Sequence, residues 1–118
     1  MADLRIDAKC DGPIGLVRLS GEARLEVVDG LRKATRGLQA LGARHVLVSL
    51  KDVTFADSAS VGAVLELEKE VSTAGGILVL HTVPVRIARM LDAMGLSGRL
   101  RIAPTEVAAR ALCGPAKP

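Results

Sequence analysis

Asp57, Ser58, Ala59 and Ser60 put a carboxylate and two hydroxyls within four consecutive residues, the densest chemistry-bearing stretch in the chain. Side chains of these types suit two roles. Asp and Ser cap helix N-termini, where an oxygen accepts from amides that have no partner inside the helix. Ser58 with Asp57 and either His45 or His81 also has the residue types of a hydrolase triad. The elbow Gly-x-Ser-x-Gly is absent, however, and adjacent Asp and Ser cannot supply a Ser-His-Asp geometry without a well-placed imidazole. His45 heads an apolar run and His81 ends another, so both read as partly exposed structural residues. Gly75-Gly76 lacks the Lys or GxGxxG of a nucleotide loop, and a helix end explains both glycines. Cys10 and Cys113 stand near opposite ends, in no CxxC spacing and without a neighbouring His, which predicts two free thiols. No catalytic residue, metal ligand or cofactor is expected, and the chain does not read as an enzyme.

The elements that must position Ser58 follow from apolar periodicity. His45 to Gly62 reads HVLVSLKDVTFADSASVG: an apolar strand at Val46 to Leu50, a polar segment at Lys51 to Thr54, then Phe55 and the Asp57 cluster opening a helix. That helix runs through Ala74 and stops at Gly75-Gly76. Its stripe is Val61, Val64, Leu65 and Val71, which leaves Glu66, Glu68, Lys69 and Glu70 mostly exposed.

Upstream, Leu4, Ile6 and Ala8 alternate with charged residues as in a strand with one face in water, and Asp11-Gly12-Pro13 turns it into a second strand over Ile14 to Leu19. Ser20-Gly21-Glu22 reads as the turn that ends this pair. An amphipathic helix from Leu25 to Leu41 carries Leu25, Val28, Leu31, Leu38 and Leu41 and ends at Gly42. Downstream, Ile77 to Leu80 is a second buried strand, adjacent and parallel to Val46 to Leu50. A helix with Val85, Ile87, Leu91 and Met94 then closes at Gly95. Arg99 to Ile102 forms a short strand, and Thr105 caps a last helix to about Leu112. Strands alternating with helices predict one α/β domain over residues 1–113, a mixed and mostly parallel sheet covered by helices, with residues 114–118 as a tail.

Composition excludes several classes. With 118 residues the chain holds one domain, and 49% hydrophobic against 25% charged residues is globular, not disordered. One Phe and no Trp or Tyr leave base stacking almost nothing to work with, and a net charge of +3 without runs of like charge argues against direct nucleic-acid binding. No stretch has the length of a membrane span or the apolar run of a signal peptide, so a cytoplasmic protein is expected.

The runs LVSLKDVTFADSASVGAVL, AGGILVL and PVRIARMLDAMGL resemble, in order and spacing, the STAS domain of bacterial anti-sigma-factor antagonists. That family has a loop of the form D-[LV]-x-x-[LV]-x-[FI]-x-D-[ST]-[ST]-G-L-G, matched here by Val53, Phe55, Asp57, Ser58 and Gly62. The resemblance implies a partner switch that regulates transcription. Ser58 would be the phosphoacceptor of an anti-sigma-factor serine kinase, which binds the unmodified form, and a PP2C-type phosphatase would reset it. It also implies a partner surface at Asp57, Ser58, Ala59, Ser60 and Glu22. Two stretches depart from the pattern. The second hydroxyl is Ala59 and the following glycine is Ser60, itself an alternative acceptor. The family's G-E-L-D reads Gly21-Glu22-Ala23-Arg24, an acid replaced by a base. These departures keep a second reading open, a non-phosphorylated STAS scaffold or accessory subunit of a stress-sensing or lipid-transport assembly.

Overall fold

The computed structural model describes residues 4–114, apart from the side chains of residues 25–27. Its elements, in order, are β1 (Arg5–Asp11), β2 (Ile14–Ala23), α1 (Leu25–Ala40), β3 (His45–Ala56), α2 (Ser58–Thr73), β4 (Leu78–His81), α3 (Val85–Ala93), β5 (Arg101–Ala103) and α4 (Glu106–Leu112). The five strands form one sheet in sequence order, with β1 antiparallel to β2 and every other pair parallel. This is the mixed α/β sheet that the alternation of elements predicts. The tail reading concerns mainly residues 115–118, which lie outside the described set.

Successive side chains of β3 point to opposite faces of the sheet, and each face has its own core. Val46, Val48, Leu50 and Val53 pack with Leu31 and Leu38 of α1, Leu67 and Val71 of α2, and Ile87 and Leu91 of α3. Leu47 packs on the other face with Val79 and Ala103, under Ala109 of α4. Val46, Leu47, Leu78 and Val79 are completely buried. Each such side chain contributes about 1.5–3 kcal/mol relative to exposure, so the β3–β4 pair is the energetic centre of the domain.

Helices α1, α2 and α3 end in the same way. Each has a glycine at positive φ just beyond its cap, Gly42, Gly75 and Gly95, and a buried next residue whose N–H returns to the last turn: Ala43 to Leu38, Gly76 to Val71 and Leu96 to Leu91. At Gly76 a side chain is excluded for a second reason. A Cβ there would lie 1.7 Å from the backbone oxygen of Arg44, so the chain entering β4 passes directly against the chain entering β3.

Several expectations change. β2 does not turn at Ser20-Gly21-Glu22. It continues through two register irregularities, with Gly21 at φ +103°, and pairs with β3 as far as Ala23 and Ala56. β3 likewise continues through the polar segment to Ala56, because this extended β2 gives it a partner. On α2 the fully buried leucine is Leu67, while Leu65 sits half-buried on the flank and Glu68 is buried at 9% exposure. The stripe that packs on the sheet is Val61, Leu67 and Val71, and Glu68 beside it reaches across to Arg101 of β5, Nη1 to Oε2 at 3.4 Å. Leu41, Val85 and Met94 are exposed, since each lies at a helix end beyond the sheet. His81, expected to be partly exposed, is buried at 5%. The side chain of Leu25 lies outside the described residues.

Leu67→Ala is expected to cost about 2–5 kcal/mol in urea unfolding through lost burial and a residual cavity, and Leu65→Ala distinctly less. The reverse order would place the wrong face of α2 against the sheet.

Candidate functional site

The site is built where β3 hands over to α2. Asp57, in extended backbone, is the N-cap of α2, and its carboxylate accepts the Ser60 N–H at 2.7 Å. The Ser60 hydroxyl accepts the Asp57 N–H at 3.1 Å and donates to the Asp57 carbonyl at 2.8 Å. This is a reciprocal capping box with serine in the third helical position. Ser60 is therefore 2% exposed and fully engaged, while Ser58 and Ala59, in the first two positions, face solvent. The first intrahelical bond is Val61 N–H to the Asp57 carbonyl, so the amides of Ser58 and Ala59 precede the helical ladder and point out of its positive end.

The far end of β2, paired with β3 across two irregularities at which β3 carries the extra residue, brings a second set of residues alongside. Glu22 stands opposite Phe55 and Ala23 opposite Ala56 in the β2–β3 register. Arg24 follows, its Nη2 2.9 Å from the Glu22 carboxylate and its guanidinium 4.6 Å from the centre of the Phe55 ring. Phe55, the only aromatic residue in the chain, is 39% exposed. An exposed guanidinium stacked on an aromatic face is held by about 0.5–1 kcal/mol, enough to order it without burying it.

The electrostatics centre on Asp57. Its carboxyl is held below the ordinary value of 3.8, chiefly by the Ser60 N–H, with partial burial opposing and the Ser60 hydroxyl and the positive charge of Arg24 adding to the shift. A carboxyl with a depressed folded pKa stabilises the fold above its unfolded pKa. That contribution is lost as pH falls from about 3.8 through the folded value.

Among the expected site residues, Asp57, Ser58, Ala59 and Ser60 form one helix turn, and the β2–β3 register places Glu22 beside it. Of these, Ser60 is not on the surface. Phe55 and Arg24 belong to the surface although sequence reasoning did not assign them to it. The signal was a lone aromatic two residues before the cap, legible only once β2 is known to pair that far. The histidines are elsewhere. His45 opens β3, a strand length away, where its Nδ1 accepts the Ile77 N–H at 3.1 Å. Burial, and then the neighbouring charge of Arg44, lower its pKa. His81 stands opposite Ser49, nine positions before Ser58 and so on the order of 30 Å from it along the chain at a strand's rise per residue. Burial lowers its pKa, with Glu106 opposing. Neither imidazole serves Ser58 as a base.

A five-stranded mixed sheet with a capped serine at the β3–α2 junction agrees with the family comparison: the sequence profile of the STAS domain matches residues 5–109, and the chain belongs to that family. It is similar to the anti-sigma F factor antagonist of Paenibacillus polymyxa, 31% identical over 89% of this chain and 91% of the relative. Its fold is similar to that of an anti-sigma factor antagonist from Mycobacterium paratuberculosis, with TM-score 0.80 and 16% identity over 94% of each chain. It is similar as well to the unphosphorylated form of the anti-sigma factor antagonist SpoIIAA, with TM-score 0.76 and 19% identity over 96% of this chain and 100% of the other. No helix among the described residues is long and apolar enough to cross a membrane.

Asp57→Ala is expected to lower stability at neutral pH by about 0.5–2 kcal/mol, the usual cost of a lost N-cap. Asp57→Asn keeps an acceptor for the Ser60 N–H and should lose less, while flattening the acid limb of the stability curve below pH 3.8. Thermal melts of the two variants across pH check this, and an Asp57→Ala variant as stable as the parent would contradict the capping box.

Proposed function

We propose that this chain is an anti-sigma-factor antagonist that works as a phosphorylation-controlled partner switch, with Ser58 as phosphoacceptor. The observation that carries this reading is the division of labour in one helix turn. Asp57 and Ser60 complete the cap between them, and Ser58 is left as an exposed hydroxyl with no structural task among the described hydrogen bonds. The 31% identical relative, an anti-sigma F factor antagonist, supports the functional class.

A phosphate on Ser58 would add a charge of about −1.5 to −2 at the positive end of α2. The helix dipole and the free first-turn amides favour an anion there by about 0.3–1 kcal/mol, so the domain tolerates the modification. A partner fitted to a neutral serine does not. It meets a new dianion beside the ionised Asp57, on a surface that also presents Ala59, Glu22, Arg24 and Phe55. In this reading an anti-sigma-factor serine kinase binds the unmodified form, and phosphorylation releases it. A PP2C-type phosphatase then restores the serine. Ser60 is a poor acceptor by comparison, because its hydroxyl is 2% exposed and modification would break the capping box.

Incubation with the cognate kinase and ATP is expected to add one phosphate by intact mass, mapped to Ser58. Ser58→Asp should weaken kinase binding about tenfold or more through like-charge and desolvation costs, while Ser58→Ala binds and resists release. Both variants should melt close to the parent. Phosphate on Ser60, or a Ser58→Asp variant of unchanged affinity for a confirmed partner, would favour the fixed scaffold of a stress-sensing or lipid-transport assembly.

A further inference from the structure

The sheet face opposite α1, α2 and α3 is only partly covered. α4 lies over Leu47, Val79 and Ala103, and an open groove of about 460 Å³ remains beside it over β1, β2 and β3. That volume lies within the range of small-molecule sites. The strand register makes the lining unusual. Asp7, Arg18, Ser49 and His81 occupy one row across four adjacent strands, each directly opposite the next. A polar row thus crosses a face whose next row is apolar at its centre, Leu16, Leu47 and Val79, between Lys9 and Arg101 at its ends.

Three features of this groove go beyond what folding needs. First, the groove is lined by Lys9, Arg18 and Lys51, none of which makes an ion pair among the described residues. The two acids that also line it are engaged by arginines outside the lining, Asp7 by Arg5 at 3.8 Å and Glu106 by Arg110 at 3.2 Å. With three basic and two acidic side chains the lining carries a net charge of +1, and Asp7 stands directly opposite Arg18. Second, His81 is a polar side chain at 5% exposure in the groove wall, and its Nδ1 lies 2.8 Å from the Thr82 hydroxyl. Third, Thr82 is the one non-glycine among the described residues at positive φ, +54°. A β-branched residue in the left-handed region is strained by about 1–3 kcal/mol, and such strain gathers at ligand sites.

We propose that this groove binds a small phosphomonoester. The compact, multiply charged oxyanion would be met by the Arg18 fork and by Lys9 or Lys51, with the hydroxyls of Ser49 and Thr82 as further donors. The organic part would lie on the half-buried Leu16. Arg18 matches a phosphate with two parallel hydrogen bonds, which a lysine cannot do. The site is on the opposite sheet face from the α2 cap, so it is independent of the Ser58 reading.

Titration of the ¹⁵N-labelled chain with phenyl phosphate, inorganic phosphate and benzyl alcohol at moderate salt tests this. Phenyl phosphate should give saturable amide shifts centred on Arg18, Ser49 and Thr82, inorganic phosphate the same pattern more weakly, and benzyl alcohol none. Arg18→Gln should weaken phenyl phosphate about tenfold, the scale of one lost charge-assisted hydrogen bond. Lys51→Gln provides a second, independent reading at the same groove, and Ser58→Ala should leave binding unchanged. Shifts centred on Ser58 and Ala59, shifts that never saturate, or affinity unaltered in both groove variants would overturn the proposal.

Discussion

The parallel pairing of β2 with β3 is the constraint on which the rest of the molecule depends. Its first half, from Ile14 opposite His45 to Arg18 opposite Ser49, joins the opening hairpin to the buried centre of the sheet. Its second half, beyond the irregularities at Arg18/Ser20 and Gly21/Glu22, extends past the core and carries Ala23 to Ala56. Without that extension Lys51 to Thr54 would have no partner strand, Asp57 would not be held at a fixed place, and Glu22 would not lie beside Phe55. A bulged strand is the physical means of carrying regular pairing out to a surface, because each irregularity bends the strand while keeping its partner.

In the proposed switch, stability and switching are therefore separated in space and in scale. Burial in the two cores amounts to several kcal/mol for each pair of fully enclosed residues, concentrated in Val46 to Val48 and Leu78 to Leu80. The cap is worth about 1 kcal/mol, and a charge at the helix end less. In the proposed reading, a modification at Ser58 would change binding while leaving the fold nearly untouched, since the groups that hold the domain together do not include Ser58. The ion pair between α1 and α2 from Arg36 to Glu70, at 3.3 Å, is exposed and adds little to this balance.

Much of this was legible in the sequence, and what was not has particular causes. Continuous β-branched and leucine runs declared β3 and β4, and the glycines Gly42, Gly75 and Gly95 marked three helix ends. Asp57 and Thr105 read as helix-opening residues because cap chemistry is local. Ser20-Gly21-Glu22 misled because glycine at positive φ serves a bulge as well as a turn, and only the partner strand decides between them. Leu65 and Leu67 are equally apolar. The choice between them is set by the rotation of α2 against strands distant in sequence, which seats Leu67 in the core and leaves Leu65 at its flank. Ser60 looked like a free hydroxyl because its burial depends on Asp57 reaching forward to its amide. The polar row from Asp7 to His81 was hidden for the same reason as the Glu22–Phe55 neighbourhood, since both are properties of register between strands.

The central claim is that Ser58 carries a local charge switch on a prebuilt cap. It is tested most directly by comparing amide NMR spectra and hydrogen exchange of the full chain with serine and with phosphoserine at position 58. The account predicts shift changes confined to Phe55 through Val61 and to Glu22 through Arg24, with the slow exchange of Val46 to Leu50 and Leu78 to His81 unaltered. Loss of protection in those strands, or shifts spread through the sheet, would show that the charge acts by remodelling the fold and would contradict it.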